Sequence, residues 1–439
     1  MTLGIDLGTT NSLGGYGDNL FTSLVSSSVD IKEKCQVPRE SVGSDIVSSY
    51  KTDMSMGEDG KLAVTCSSII LKDIVDKVNK STGCDINEVV ISVPAYFDTT
   101  QREAVHEAAK VAGLKVNSLI NEPTAAALCV CKDMKDLIVV YDLGGGTFDI
   151  SIVDARSGNY SVVATTGTIL GGDDLDNALV DLVIKEKKIP IRYRSALHKR
   201  VLKNKMRKAK EDLQYTESSV YVKLEEFGID SVFELTVEQY KQLVHDIFYD
   251  TIVRTQHLIS CNLPVSEVPK IIFVGGSTYC PFLRRMVLSN LQLEEIKSDT
   301  PADLIVAKGV ALYAEMVDEG IAFSTIDDVT KRLCIEDNMG KTITILDSNT
   351  ILPASGSIVC SNSDRSSELR VKLYQGDSII ASKNSYIGTL VYDYKREMEA
   401  ESGIVNIEVD VNRDGVVKLK AYQLLLGPAS TQEIELKNR

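Results

Sequence analysis

The 439-residue sequence predicts two similar α/β halves that face one cleft, followed by an antiparallel β-domain. Two observations lead to this fold class. A strand, an Asp-Leu-Gly turn with Thr and a second strand occur at residues 4–12 and again at residues 140–151, and such an internal repeat indicates a duplicated structural unit. After about residue 326, apolar and polar residues alternate, which is typical of antiparallel strands with one buried face.

The elements between these landmarks support α/β layering. Short apolar runs at residues 89–93, 137–141 and 271–274 predict buried strands. Helical spacing over residues 99–111 predicts a helix that stops near Gly113. The basic stretch 195–215 has a helical pattern and is most simply interpreted as a helix with a solvated face. Asp414-Gly415 lies between two alternating runs and predicts a hairpin.

Charge and composition exclude several classes of function. The chain carries 48 basic and 62 acidic residues, a net charge of −14, so general binding to nucleic acid or to an anionic membrane is disfavoured. No apolar run approaches the ~18 residues of a membrane span, and no charged leader precedes the first strand, so we expect neither a membrane helix nor a secretory signal. Nine cysteines without an export signal are expected to be reduced thiols of a cytoplasmic protein.

The repeated turn has the chemistry of a phosphate clamp. Asp6 and Gly8 align with Asp142 and Gly144. Glycine lets the backbone approach a phosphate, and successive N–H groups form an anion nest. The Asp supplies a carboxylate that can hold Mg²⁺ through its waters. One such turn is explained equally well by an ordinary Gly-rich hairpin, but two in matching register predict a clamp on the β- and γ-phosphates.

Several motifs resemble those of the 70-kilodalton heat-shock chaperones and, more distantly, the actin and sugar-kinase ATPases. The matching stretches are GIDLGTTNS (4–12), VISVPAYFDTTQREA (90–104), INEPTAAAL (120–128), VYDLGGGTFDIS (140–151), LGGDDLDN (170–177) and VGGSTYCP (274–281). The resemblance implies an actin-like two-lobed ATPase domain at residues 1–320, a linker at 321–327 and a β-sandwich at 328–439, without a helical lid.

The resemblance also implies roles for individual residues, with ATP or ADP and Mg²⁺ as ligands. The catalytic residues it indicates are Lys51, Glu122, Asp142, Thr147 and Asp149, with Asp6 and Asp142 holding the magnesium. The nucleotide-binding residues it indicates are Gly8, Thr9, Thr10, Gly144, Gly145, Gly146, Gly171, Gly172, Lys210, Gly275, Gly276, Ser277, Tyr279 and Asp303. Pro94 and Arg102 match the family's relay between its two domains. For Lys51 a solvated loop lysine remains the alternative.

The carboxyl-terminal part resembles the family's peptide-binding sandwich. By that alignment an apolar groove is lined by Ile335, Cys360, Leu369, Val371 and Ile407. An extended peptide would add main-chain hydrogen bonds there and insert one side chain. The alternative is that these five residues are plain sandwich core.

The sequence departs from the family at several positions. Tyr279 stands where the family has the arginine that stacks on adenine, and Arg207 replaces the glutamate that contacts the ribose. Ser118 replaces an arginine used for linker and J-domain contact. The linker is less apolar, and the interval before Val93 is several dozen residues shorter, so contacts with J-domain co-chaperones and nucleotide exchange factors are in doubt. Without a lid, peptide binding should be weak and fast-exchanging.

Three functions fit the sequence. The leading one is a chaperone that binds Mg-ATP, hydrolyses it slowly and binds unfolded or extended polypeptides. The second is a nucleotide-binding scaffold or regulator with little or no hydrolysis. The third, a small-molecule kinase or filament-forming protein, shares the ATPase fold but is opposed by the NEPTAAA motif and the β-rich tail.

Overall fold

The computed structural model describes residues 1–439 except 22–23, 40, 42–44, 49, 55–59, 132–134, 158–159, 215, 217, 230–231, 322–324, 327–330, 349 and 435–439. The helices are α1 (Lys61–Thr82), α2 (Thr99–Val111), α3 (Glu122–Val130), α4 (Gly172–Glu186), α5 (Ala196–Leu213), α6 (Val237–Asn262), α7 (Pro281–Leu291) and α8 (Ile305–Asp318). The strands before the tail are β1 (Leu3–Leu7), β2 (Asn11–Tyr16), β3 (Asn19–Leu20), β4 (Val25–Ser26), β5 (Ser28–Asp30), β6 (Cys35–Val37), β7 (Ile46–Val47), β8 (Glu88–Val93), β9 (Lys115–Asn121), β10 (Leu137–Leu143), β11 (Phe148–Asp154), β12 (Tyr160–Thr168), β13 (Ser219–Lys223), β14 (Val232–Thr236) and β15 (Lys270–Val274). The tail contains β16 (Thr325–Ile326), β17 (Leu333–Glu336), β18 (Thr342–Leu346), β19 (Ala354–Cys360), β20 (Ser366–Gln375), β21 (Ser385–Met398), β22 (Val405–Val411), β23 (Val417–Gln423) and β24 (Gln432–Ile434).

The chain divides into two compact units. The first comprises residues 1–52, 65–94 and 109–323, and the second comprises residues 53–64, 95–108 and 324–439. Most of the predicted linker, residues 322–324 and 327, lies outside the described residues, as do residues 328–330 at the start of the predicted β-sandwich.

Two sheets with similar beginnings form the centre of the first unit. In one, the order is β3-β2-β1-β8-β9, with β1 antiparallel to β2 and parallel to β8. In the other, β15, β10, β11 and β12 are neighbours in that order, with β10 antiparallel to β11 and parallel to β15. The same strand-turn-strand hairpin followed by a parallel neighbour therefore occurs in both sheets, which confirms the duplicated unit predicted from the sequence.

The helices of the first unit cover these sheets, and α3 and α8 approach each other closely. A side-chain carbon at Gly309 on α8 would lie only 1.8 Å from the carbonyl oxygen of Ala125 on α3. Small residues therefore let the two helices pack backbone to backbone, and this contact fixes the beginning of α3. The predicted helix over 99–111 is α2, and α5 accounts for the basic stretch 195–215.

The tail of the second unit contains two four-stranded antiparallel sheets, as its alternating pattern predicts. Their orders are β18-β17-β20-β21 and β19-β22-β23-β24. Asp414-Gly415 connects β22 to β23, where Gly415 has a left-handed φ of 77°, so the predicted hairpin is confirmed.

Apolar side chains fill the space between the two sheets of the tail. Four predicted groove residues belong to this core, with exposed fractions of 0 to 7%: Ile335, Leu369, Val371 and Ile407. Cys360 is partly buried and packs against the same cluster. The five residues therefore lie in or against the core of the sandwich, as the alternative to a groove expected. A peptide groove at these positions stays a prediction.

No helix in the described part of the chain is both long and apolar enough to cross a lipid bilayer. All nine cysteines are unpaired thiols.

Candidate functional site

The two glycine hairpins face each other, as their matching register predicts. A carbon added at Gly145 would lie 2.2 Å from Thr10 Oγ1, and one added at Gly146 would lie 3.4 Å from Thr9 Cγ2. The turn at residues 144–147 is closed by the Gly144 N–H, which donates to the Thr147 carbonyl at 3.0 Å. Any side chain at Gly145 would force the hairpins apart, so glycine is required there by close approach.

A cavity of about 540 Å³ opens beside this junction. The predicted residues that line it are Asp6, Gly8, Thr9, Thr10, Lys51, Pro94, Glu122, Asp142, Gly144, Gly145, Thr147, Asp149, Gly172, Lys210, Gly275, Gly276, Ser277, Tyr279 and Asp303. Gly146 and Gly171 are not among the lining residues. Gly171 instead packs on the backbone of Gly145, where an added carbon would lie 2.5 Å from the Gly145 carbonyl.

Lys51 and Glu122 meet at the cavity wall. The Lys51 Nζ lies 2.5 Å from Glu122 Oε1, and their side chains are only 5% and 13% exposed. Glu122 is the first residue of α3 and is followed by Pro123, whose fixed φ suits the first turn of a helix. The burial of Lys51 excludes the alternative of a solvated loop lysine.

Two further carboxylates of the cavity are electrostatically crowded. Asp142 and Asp149 are direct cross-strand partners on β10 and β11. Burial, followed by repulsion from Glu122, Asp149 and Asp6, holds the pKa of Asp142 well above its usual range. Burial and Glu122 raise the pKa of Asp6 to about 6, although Lys51 opposes this shift. One lysine therefore faces four carboxylates, which favours a cation at this end of the cavity.

A network of hydrogen bonds fixes the second hairpin. The Ser277 hydroxyl donates to the Gly144 carbonyl at 2.7 Å, and the Gly172 N–H donates to the same oxygen at 3.0 Å. Lys210 Nζ donates to the Gly172 carbonyl at 3.1 Å. Gly275 has a left-handed φ of 84°, and a side-chain carbon there would lie 2.6 Å from Asp142 Oδ1. These contacts bring residues far apart in the sequence to one turn.

The other part of the cavity carries an aromatic ring. Tyr279 is 40% exposed, and its hydroxyl donates to Asp303 Oδ1 at 2.5 Å. Partial burial and the neighbouring carboxylate raise the pKa of Tyr279 to about 12, so the hydroxyl remains protonated at neutral pH. Arg207, which also lines the cavity, is engaged by Asp176 at 2.9 Å and by Asp173 at 3.1 Å.

Several residues around the site were not assigned from the sequence. The Ser92 hydroxyl donates to Asp6 Oδ1 at 2.7 Å. Fully buried Asp176 lies 2.5 Å from Lys210 Nζ and also holds Arg207. Ser92 lies in VISVPAY and Asp176 in LGGDDLDN, so each belonged to a quoted motif. Spacing alone gave no signal that either contacts the cavity residues.

Of the predicted relay residues and Ser118, only Pro94 is among the residues that line the cavity. Arg102 is buried in the second unit and donates to the carbonyls of Phe97 at 3.1 Å and Asp414 at 3.3 Å. Ser118 on β9 donates to the Leu119 carbonyl at 3.1 Å. The coupling roles of these residues stay predictions.

The donor set fits a phosphate with a water-coordinated magnesium ion better than a directly ligated metal. Within the described ranges, no group of three or more His, Cys, Asp or Glu side chains could hold a metal ion. Magnesium is often bound through one or two carboxylates, substrate phosphates and its own waters, which is what Asp6 and Asp142 offer. The buried Thr10 Oγ1 has no hydrogen-bond partner among the described residues, and a phosphate oxygen would supply one.

Comparisons with known proteins agree with this geometry. A family model described as "Hsp70 protein" matches residues 31–439. The chain is 31% identical to the "Chaperone protein DnaK" of Mycoplasma mobile over 481 aligned positions, which cover 99% of this chain and 78% of that protein. Together with the facing hairpins and their cluster of carboxylates, these matches show that the chain belongs to the Hsp70 family.

Proposed function

We propose that the chain is an ATP-dependent chaperone that binds Mg-ATP in the 540 Å³ cavity and hydrolyses it slowly. The observation that carries this proposal is the meeting of two glycine hairpins beside four carboxylates and one buried lysine. Membership of the Hsp70 family favours this function over the alternative of a non-hydrolysing scaffold, because members of this family are ATPases.

Backbone N–H groups of the two turns would bind the phosphates. Glycines at 144–146 leave the turn without side chains, so successive N–H groups can approach a phosphate oxygen. The Thr10 hydroxyl, buried and without a partner among the described residues, would donate a further hydrogen bond. Asp6 and Asp142 would hold the magnesium ion, which neutralises phosphate charge when it is bound.

Lys51 and Glu122 would act together on the attack of water. Glu122 holds Lys51 at 2.5 Å, so the ammonium is already positioned before the reaction. Lys51 would stabilise the negative charge that develops on the transferred phosphoryl group. Glu122 and Asp149 would accept hydrogen bonds from the attacking water and orient it. Positioning and fixed charge of this kind supply most of the catalysis in phosphoryl transfer.

The β-domain would bind unfolded or extended apolar polypeptides. Its sheets are antiparallel and end at β18 and β21 in one case and at β19 and β24 in the other, and peptides commonly add to the edge of a sheet. The nine unpaired cysteines suit a reducing compartment, so we place the protein in the cytoplasm.

With Ser118 in place of a charged anchor, contact with a J-domain co-chaperone would be weakened.

A single-turnover assay of phosphate release tests the proposed hydrolysis. Asp142→Asn removes one buried carboxylate, and we expect the rate to fall by about 10²–10³, the usual cost of one such group. Asp250→Asn, an exposed change on α6, is the matched control and should leave the rate unchanged. If the unmodified chain binds Mg-ATP but releases no phosphate, the scaffold alternative is correct instead.

A further inference from the structure

A second cavity of about 470 Å³ lies next to the first in the same unit. Thr9 and Thr10, Arg39 and Arg207 line both cavities. The second cavity therefore begins at the phosphate end of the first one. Neither the sequence motifs nor the proposed function assigns a role to it.

The lining of this second cavity is strongly basic in an acidic protein. Five cations line it, against the two carboxylates Asp173 and Asp181: these cations are Arg39, Lys199, Arg200, Lys203 and Arg207. The whole chain has a net charge of −14. A concentration of one sign of charge in a recess focuses the field and attracts ions of the opposite sign.

Asp173 lies at the centre of three of these cations. Its Oδ1 is 3.0 Å from Arg39, 3.1 Å from Arg207 and 3.6 Å from Lys203. Burial alone would raise the pKa of Asp173, but the surrounding Lys203, Arg39 and Arg207 hold it below its usual range. Burial and the charge of Arg207 lower the pKa of Arg39. The cations are therefore held close enough to repel one another.

Cations outnumber carboxylates in this cluster, among the residues that the structure describes. Asp176 pairs with Arg207 and Lys210. With the five lining cations and Lys210, six cations among the described residues face three carboxylates, Asp173, Asp176 and Asp181, which leaves an excess of positive charge. A hydrogen phosphate dianion would offset two of these positive charges. Guanidinium groups also match phosphate oxygens in geometry and donate paired hydrogen bonds to them.

We propose that the second cavity binds inorganic phosphate and holds it after it leaves the first cavity. The source of that phosphate rests on the proposed hydrolysis, but the binding itself does not. Thr9 and Thr10 line both cavities, so phosphate would pass these two residues on its way from the first cavity to the second. Phosphate held in this second cavity is separated from the site of cleavage, so its departure becomes a step distinct from the chemistry.

Titration with inorganic phosphate tests the site without any hydrolysis. The ADP-bound chain is titrated by calorimetry at constant ionic strength, with chloride as the comparison anion. We expect saturable binding of phosphate that Lys203→Met weakens by about tenfold, because one of the cations that line the cavity is lost. Lys208→Met, an exposed change on the same helix that does not line the cavity, should bind as the unmodified chain does.

A second variant and a kinetic measurement make the result decisive. The double change Lys199→Met and Arg200→Met removes two other cations of the lining and should also weaken phosphate binding. In a single turnover, cleavage of ATP is measured by acid quench and release is measured as free phosphate in solution. Lys203→Met should shorten the delay between the two.

Equal phosphate affinity in all variants, or an equal loss in Lys208→Met, would overturn the proposal. A chain that binds added phosphate as expected but cleaves no ATP would retain the site and refute only the proposed hydrolysis.

Discussion

Tyr279 gives the 540 Å³ cavity an aromatic wall. Its ring lines the cavity and its hydroxyl is fixed by Asp303 at 2.5 Å, so the ring is held in place. A fixed ring can stack on a base, and stacking of this kind tolerates any base because every base has a π-face. At the position where the resemblance predicts an arginine that stacks on adenine, the chain thus has an aromatic ring that could stack on the base instead.

Removing the ring should weaken nucleotide binding. We expect Tyr279→Ala to lower the affinity for ADP by ~1–3 kcal/mol, the usual value of one base–aromatic contact. Tyr279→Phe keeps the ring and loses only the bond to Asp303, so it should cost much less. Calorimetric titration with Mg-ADP measures both variants, and equal affinity in Tyr279→Ala and the unmodified chain would mean that the base lies elsewhere.

The position of Lys51 in the fold could not be predicted from sequence motifs alone. Its surroundings in the sequence match the family poorly, so spacing left a solvated lysine as an alternative. The structure excludes that alternative, because the side chain is 5% exposed and is paired with Glu122. The two residues are 71 positions apart, and no local pattern brings them together.

The glycine hairpins are the elements that the sequence predicted best. Both are local, since each strand pairs with the next one along the chain. The residues that form each turn are also consecutive in the sequence. Their mutual approach followed from the repeat itself. The Asp176 contacts with Lys210 and Arg207 join α4 to α5, and a linear pattern carries no sign of such a contact between helices.

The strands of the β-domain present a harder problem. Alternation predicted which face of each strand is apolar, and the core of the sandwich confirms it. The same alternation cannot distinguish a closed core from a groove, because both need apolar residues on one face. Ile335, Leu369 and Ile407 are 0 to 5% exposed, so a peptide side chain could reach them only if the sandwich opened.

We therefore expect weak, fast-exchanging binding of apolar peptides by the β-domain. Opening a packed core exposes apolar area at a cost of about 25 cal/mol per Å², which subtracts from the affinity. Fluorescence anisotropy with a labelled extended apolar peptide should show rapid dissociation, and a peptide with its central apolar residue replaced by Asp is the control. Tight retention that ATP releases would contradict this expectation.

At the scale of the whole molecule, the predicted α/β halves and β-rich tail are both present. The duplicated motif predicted two hairpin sheets, and the alternating pattern predicted the sandwich. The second, basic cavity was not predicted. Its residues come from β-rich segments before residue 50 and from α4 and α5, and only folding collects them around Asp173.

Isothermal calorimetry with magnesium and adenine nucleotides tests the central claim, that the facing hairpins bind a nucleotide phosphate chain with its ion. The account predicts saturable heat near one nucleotide per chain, which falls when magnesium is chelated or when Asp6→Asn removes a carboxylate that is proposed to hold the ion. Gly145→Val, which would place its side chain against Thr10, should abolish the heat. No heat at millimolar Mg-ATP and Mg-ADP would contradict the claim, and the proposed ATPase would fall with it.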